Sequence, residues 1–192
     1  IKLDLEKLSE IECDIVYTPK SIDLYSIDEV AKEYNFNGLE NVLEGKYRPG
    51  HFYGVATIVE KLFNIIKPNY AFFGEKDFQQ LFIIKKLVDI KKINTKIIGC
   101  PTIREKSGLA KSSRNQLLSK TDFKKSSNVY KQLIFTKANY TTKSFKEIKN
   151  IVHHNLKNLN FEIDYFEFID METLEIHKRK LKGVQYAVCI AV

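Results

Sequence analysis

The clearest pattern along the chain is an apolar stripe at helical spacing between residues 55 and 66. Its positions recur at i, i+3, i+4, i+7, i+8 and i+11: Val55, Ile58, Val59, Leu62, Phe63 and Ile66. This spacing predicts an amphipathic helix, which Pro68 ends. The apolar run at 69–73 then predicts a short buried strand. A second helix is predicted to reach about Lys92 by the stripe of Leu81, Ile84, Leu87 and Val88.

The neighbouring segments extend this alternation of strands and helices. The run from Thr95 to Cys100 predicts a strand that stops at Pro101. Earlier in the chain, a short helix is predicted from Leu3 to Ile11, a strand from Cys13 to Tyr17, and a polar loop over 21–37. Strands alternating with helices predict an α/β fold with a parallel sheet that is covered on both faces.

The pattern changes after Pro101. Helices are predicted near 121–137 and 143–158, and strands at 161–169 and 186–192. The apolar alternation over 161–165 changes parity at Phe166, which predicts a bulge or a strand buried on both faces. We therefore expect two domains, 1–102 and 103–192, and the second is a small α+β domain.

Composition narrows the classes of protein that fit. Of the 192 residues, 44% are hydrophobic and 29% are charged, which is ordinary for a globular protein. No uninterrupted apolar run approaches the roughly 18 residues of a membrane span. The net charge of +7 would suit nucleic acid, but the lysines are dispersed, so we expect no nucleic-acid partner. Cys13, Cys100 and Cys189 lie far apart, and we expect reduced core thiols in a cytoplasmic protein, with no metal site built by the protein.

The turn after the strand at 69–73 carries the first candidate chemistry. Gly74 allows a tight turn and a close backbone approach, and Lys76 adds a positive charge. Asp77 can cap the following helix, whose first amides favour an anion. The turn therefore suits a nucleotide phosphate. The alternative is an ordinary solvated turn with a capping box between Asp77 and Gln80.

A second candidate is the run of Lys111, Ser112, Ser113 and Arg114. Two hydroxyls and two cations in four residues suit phosphate oxygens. The alternative is a polar surface turn in which a serine caps the next helix. Glu44 and Arg48, close to His51, either line a site or form a local ion pair.

Three segments together resemble the pantoate–β-alanine ligase (pantothenate synthetase) family. They are Leu43 to Val55 (LEGKYRPGHFYGV), Phe73 to Leu81 (FGEKDFQQL) and Gly108 to Asn115 (GLAKSSRN). The resemblance runs through essentially the whole chain and is strongest from Asn41 to Asn115. It implies a Rossmann-like domain of the nucleotidyltransferase superfamily, with helices on both faces of its sheet, followed by an α+β lid domain.

The resemblance also implies a reaction and a set of site residues. The family joins pantoate to β-alanine through a pantoyl adenylate, on the route to coenzyme A. ATP with Mg²⁺ is a substrate, and the enzymes are usually cytoplasmic homodimers. The residues implied at the ATP site are Gly74, Glu75, Lys76, Asp77, Ile103, Lys111, Ser112, Ser113 and Arg114. Gln80 is implied to bind pantoate, and Lys76 and Arg114 are the expected catalytic pair.

Three departures from the family pattern modify these expectations. The His-x-Gly-His segment and its strand are absent from the sequence, and so is a first glutamine for pantoate. Lys111 stands where the family usually has an apolar residue. The family also continues past Val192. The chain starts at Ile1 and ends within an apolar run, so we expect an internal piece of a longer polypeptide. Because this piece would hold only part of the active site, we expect it to be inactive alone. The alternatives are a non-catalytic remnant and another adenylate-forming member of the superfamily.

Overall fold

A computed structural model describes residues 1–192, which form helices and two separate two-stranded sheets. The helices are α1 (Lys2–Glu10), α2 (Ser21–Leu24), α3 (Glu44–Tyr47), α4 (His51–Ile66), α5 (Phe78–Lys91), α6 (Lys120–Asn139) and α7 (Phe145–Lys157). The strands are β1 (Tyr70–Gly74), β2 (Lys96–Cys100), β3 (Tyr165–Asp170) and β4 (Tyr186–Ala191). Short 3₁₀ turns cover Leu39–Asn41, Glu75–Asp77 and Ser113–Leu117.

The first sheet is a parallel pair joined by a helix. β1 pairs with β2 from Tyr70↔Lys96 to Gly74↔Cys100, and α5 makes the crossover between them. This confirms the predicted α/β arrangement with a parallel sheet. Because parallel strands point the same way, the loops that follow Gly74 and Cys100 leave from one edge.

The first hydrophobic core lies between α4, α5 and one face of this sheet. Ala71 and Phe73 of β1 and Ile97 of β2 pack against it. Its fully or nearly buried helical residues are Phe52, Ala56, Val59, Phe63, Ile83, Ile84 and Leu87. On the other face of β1, Tyr70 and Phe72 are 57% and 66% exposed. Within residues 1–192, α4 and α5 thus cover one face of the pair, and the other face is open to solvent.

A second core lies between α7 and the antiparallel pair β3–β4. Phe145 stacks on Phe168 with ring centroids 3.7 Å apart. The register runs without interruption from Tyr165↔Ala191 to Asp170↔Tyr186, so the predicted bulge is wrong. The change in parity has a simpler cause: the strand begins at Tyr165, and residues 161–163 precede it.

A third cluster joins residues from the two halves of the chain. Leu43, Ile169 and Leu174 form its buried centre. Phe78 and Phe82 of α5 pack against it from one side, as do Tyr165 and Cys189 from the other. The proposed boundary near residue 102 remains a prediction, and this cluster makes apolar contacts across it.

The segment from Cys13 to Tyr17 departs most from expectation. It forms no strand, and Ile15 is 85% exposed. A strand needs a hydrogen-bonded neighbour, and none of the four strands pairs with this segment. Cys13 is consequently exposed, whereas burial raises the pKa of the Cys189 thiol to about 12. None of the helices combines the length and hydropathy needed to cross a bilayer.

A buried carboxylate fastens the segment before α3 to α4 and α5. Glu60 of α4 accepts a hydrogen bond from Tyr34 Oη at 2.7 Å, and Lys32 and Lys91 lie within 3.4 and 3.2 Å of it. Burial raises the pKa of Glu60, but the bonds from Tyr34 and Lys91 outweigh this, and the net pKa falls below 4.5. The stabilisation is therefore present above pH 4.5 and is lost as the pH falls through the folded-state value.

We expect Tyr34→Phe to lower the free energy of unfolding by about 1–2 kcal/mol, because Glu60 loses its shortest hydrogen bond. Urea denaturation at neutral pH measures this loss. Tyr70→Phe removes the same hydroxyl from an exposed ring and should change stability by less than about 0.5 kcal/mol. Equal losses in the two variants would contradict the role assigned to Glu60.

Candidate functional site

The turn after β1 brings one set of candidate residues to the carboxyl edge of the sheet. Gly74 has an extended backbone (φ −69°) that any residue can adopt, so the freedom of glycine to form a tight turn is not used at this position. A Cβ added at Gly74 would meet nothing within 4 Å, so the approach to this backbone is open. Lys76 and Asp77 follow in the 3₁₀ turn, and both side chains are exposed.

The start of α5 lacks the predicted cap. Asp77 occupies the N-cap position, but its side chain caps no amide, so the capping box with Gln80 is wrong. Asp77 Oδ1 instead lies 3.5 Å from Lys76 Nζ. The first amides of α5 consequently have no side-chain acceptor, which is the condition for anion binding at a helix N-terminus.

A hairpin after β2 carries the second set of candidates. The Lys111 amide donates to the Ile103 carbonyl at 2.9 Å, so these two residues lie side by side. The hairpin is pinned to α6: the Arg104 guanidinium lies 4.5 Å from the centroid of the Tyr130 ring. Gly108, with φ +88°, packs so closely that a Cβ would lie 1.9 Å from that ring. Because Gly108 has no side chain, the hairpin can pack closely against Tyr130 of α6.

The serine cap expected in the second motif is present at Ser112. Its Oγ accepts a hydrogen bond from the Arg114 amide at 3.2 Å and caps the turn Ser113–Leu117, while Ser119 caps α6. Lys111, Ser113 and Arg114 are exposed, and their side chains make no hydrogen bond or ion pair within the chain. Their charges and hydroxyl are thus available to a ligand.

The two sets of candidate residues lie on neighbouring loops but make no polar contact with each other. Gly74 pairs with Cys100, so both loops leave the same edge. The Glu75 side chain folds back over Gly99, where an added Cβ would lie 3.2 Å from Glu75 Oε1. No hydrogen bond or ion pair joins residues 74–80 to residues 111–114. The partly buried Gln80 side chain is likewise free of hydrogen bonds within the chain.

A third group lies beside the first turn. Arg48 Nη1 donates to Glu44 Oε1, which confirms the predicted ion pair, and His51 Nε2 lies 3.9 Å from the same oxygen. Burial and the positive charge of Arg48 lower the pKa of His51 below 6.5, against the opposing effect of Glu44 and Asp77. The influence of Asp77 indicates that this cluster and the turn after β1 share one electrostatic environment.

Sequence reasoning missed three residues that hold this region together. Tyr47 Oη donates to the Asp164 carbonyl, and its ring lies 6.2 Å from that of Tyr165. Burial raises the pKa of Tyr165 strongly, and the charges of Glu44 and Asp77 add to the effect. Gln79 is buried under the loop before α3. Of the three, only the burial of Gln79 could have been inferred from the sequence, because Gln79 lies one helical turn before the apolar Ile83.

We expect Arg48→Ala to raise the pKa of His51 and Glu44→Gln to lower it, since the first removes a positive charge and the second a negative one. A pH titration of the His51 ring by NMR measures both shifts. Unchanged amide spectra for α7 serve as the control for an intact fold. Shifts of the same sign in both variants would contradict the proposed cluster.

The fold and the placement of these residues define a Rossmann-like α/β protein with two cation-bearing loops at the carboxyl edge of its parallel strands. The profile of the family described as Pantoate-beta-alanine ligase matches residues 1–192. The chain belongs to that family, which confirms the resemblance carried by its three segments.

Named relatives agree in sequence. The pantothenate synthetase of Flavobacterium psychrophilum is 45% identical over 194 residues, which cover 100% of this chain and 69% of the relative. That of Christiangramia forsetii is 43% identical over 98% of this chain and 67% of the relative. The chain thus spans only part of the length of these relatives.

Solved structures agree in fold. A crystal structure of pantothenate synthetase from Thermus thermophilus superposes with a TM-score of 0.89 at 32% identity, over 99% of this chain and 70% of that one. The pantoate–β-alanine ligase from Francisella tularensis, complexed with β,γ-ATP and β-alanine, gives a TM-score of 0.73 at 34% identity. It covers 98% of this chain and 65% of the other.

Proposed function

We propose that this protein catalyses the ATP-dependent ligation of pantoate and β-alanine to pantothenate, releasing AMP and pyrophosphate. The observation that supports this most is the family match over residues 1–192, with both motif loops at one edge of the sheet. The Francisella tularensis relative was crystallised in complex with β,γ-ATP and β-alanine, and the proposed reaction uses ATP and β-alanine as substrates.

The proposed reaction has two steps. A pantoate carboxylate oxygen bonds to the α-phosphorus of ATP, and the bond from that phosphorus to the pyrophosphate oxygen breaks. The β-alanine amine then bonds to the acyl carbon, loses a proton, and displaces AMP. Both steps depend on positioning and on cations near the phosphates rather than on a covalent intermediate with the protein.

We assign the phosphates to the two cation-bearing loops. Gly74, Glu75 and Asp77 would line the ATP site around Lys76, which lies beside the uncapped amides of α5. From the hairpin, Lys111 and Arg114 would supply free charges and Ser113 a free hydroxyl. Ser112 Oγ already accepts the Arg114 amide, so its own proton is the group left for a phosphate oxygen.

The remaining contacts concern the nucleotide and pantoate. The Ile103 carbonyl already accepts the Lys111 amide, which leaves the Ile103 N–H as the natural partner for the nucleotide. Gln80, with a side-chain amide free of partners within the chain, would bind pantoate. Mg²⁺ would arrive bound to the ATP phosphates, and the chain brings together no group of three or more metal-ligating His, Cys, Asp or Glu side chains.

The predicted division into domains 1–102 and 103–192 adds a conformational change, domain closure, to the proposed reaction. Lys76 and Arg114 lie on opposite sides of this boundary, and closure would bring both to the phosphates and exclude water from the adenylate. We also propose that the protein is a cytoplasmic homodimer, because the family resemblance implies one.

We expect Lys76→Ala and Arg114→Ala each to reduce kcat by about 10²–10³-fold in the full-length gene product, because each removes a cation from the transition state. AMP formation that depends on both pantoate and β-alanine is the measurement. Lys106→Ala removes an exposed lysine of the same hairpin and should retain activity within about two-fold. AMP formation without pantoate would point instead to another adenylate-forming reaction.

We also expect the 192-residue chain alone to bind ATP weakly and to form negligible pantothenate, because the sequence contains no His-x-Gly-His segment. Calorimetry with MgATP and an assay for β-alanine-dependent AMP measure the two properties. Turnover comparable to that of the full-length gene product would refute this expectation.

A further inference from the structure

A single buried side chain connects the first turn of α5 to the loop that precedes α3. Gln79, 5% exposed, donates through Nε2 to the carbonyls of Leu39 at 2.6 Å and Val42 at 2.8 Å. Its Oε1 accepts the amide of Glu44 at 3.1 Å. Exchanging the amide nitrogen and oxygen would put donors against donors, so the partners fix the orientation of the side chain.

Two of these three bonds enclose a strained residue. Val42 and Glu44 are the neighbours of Leu43, whose φ of 47° and ψ of −122° are unfavourable for a side chain with a Cβ. Leu43 is nevertheless 4% exposed and packs against Ile169 and Leu174, so glycine could not replace it without losing that packing. The position requires both an apolar side chain and a strained backbone, and the Gln79 amide supplies the bonds that hold it.

The loop has no room to relax locally. A Cβ added at Gly45 would lie 1.9 Å from the Glu40 carbonyl oxygen, so the chain turns tightly just after Leu43. Glu44 begins α3 at this point and pairs with Arg48 and His51. The direction of the Glu44 side chain therefore depends on the conformation that Gln79 holds.

Gln79 is also adjacent to the residue proposed to bind pantoate. Successive residues of a helix point about 100° apart, so Gln79 faces the loop while Gln80 remains free. The first turn of α5 thus carries two side-chain amides: that of Gln79 bonds to the protein, and that of Gln80 is free for a ligand. A displaced Gln79 would move Gln80 and the cluster of Glu44, Arg48 and His51 together.

We propose that Gln79 is a positioning residue, whose amide holds the strained Leu43 turn and thereby aligns Glu44, Arg48 and His51 with Gln80. The part of this proposal that concerns catalysis rests on the proposed ligase function. Gln79 itself needs no contact with substrate.

The test compares two buried glutamines. Gln79→Met keeps the length of the side chain and removes its three hydrogen bonds. Gln132→Met is the matched control, because Gln132 is 8% exposed in α6 and its Oε1 accepts from Asn155 Nδ2 at 3.0 Å, away from the loop before α3. Hydrogen exchange followed by NMR should show amides of residues 39–47 exchanging at least about 10-fold faster in Gln79→Met, and unchanged in Gln132→Met.

The kinetic arm uses the full-length gene product. After correction for the folded fraction, kcat/KM for pantoate should fall about 10-fold or more in Gln79→Met, with KM for ATP within about two-fold. The same parameters in Gln132→Met should stay within about two-fold of wild type. Equal losses in the two variants, or unchanged exchange in residues 39–47, would overturn the proposal.

A measurement on the unaltered protein covers the case in which Gln79→Met does not fold. The side-chain amide protons of Gln79 should exchange at least about 10-fold more slowly than those of Gln80, since only the former are bonded. Equal rates would overturn the proposal. If the wild-type gene product forms no pantothenate, the proposed function fails and the catalytic claim with it, while the exchange rates still decide whether Gln79 holds the turn.

Discussion

The parallel pairing of β1 with β2 is the constraint on which the candidate site depends. With Gly74 opposite Cys100, the two loops that carry the cations leave adjacent points on one edge of the sheet. The crossover through α5 follows from the parallel direction, because two such strands cannot be joined by a tight turn. The same crossover places the uncapped N-terminus of α5 at this edge. A shift in register would separate the amides of α5 from the hairpin at Ile103 and Lys111.

The elements that the sequence predicted well are those whose partners lie nearby in the chain. α4, α5, β1 and β2 form one β–α–β unit with its preceding helix, and their apolar spacing reports contacts made within about fifty residues. The segment from Cys13 to Tyr17 carries an equally apolar pattern but forms no strand, because pairing depends on a neighbour that local sequence does not specify. The prediction wrongly included the apolar alternation in residues 161–163 in the strand, and this produced the apparent change of parity at Phe166. Pairing between β3 and β4 begins only at Tyr165.

The residues of the candidate site could be predicted where a short segment of sequence carries the relevant chemistry. Lys76, Ser113 and Arg114 are polar residues in turns, and the side chains of all three are exposed. Lys76 pairs with Asp77 at 3.5 Å, whereas Ser113 and Arg114 have no side-chain partner within the chain. Capping was harder to predict, because Asp77 and Ser112 are both good cap residues and only Ser112 makes the bond. Tyr47 and Tyr165 meet across more than a hundred residues, so no local pattern could identify the pair. The roles of Gln79 and Gln80 separate only when the face of α5 is known.

The cluster of Leu43, Ile169 and Leu174 limits how the proposed domain closure can occur. Phe78 follows the Lys76 turn directly and packs on this cluster with Phe82, while Tyr165 and Cys189 pack on it from the second half. A rigid rotation of the whole second half would expose these side chains at a cost of about 25 cal/mol per Å². Movement of the hairpin that carries Lys111 and Arg114 avoids that cost. Tyr130, against which Gly108 and Arg104 pack, lies in the middle of α6, so displacement of the hairpin together with α6 is the less costly route by which Arg114 approaches Lys76.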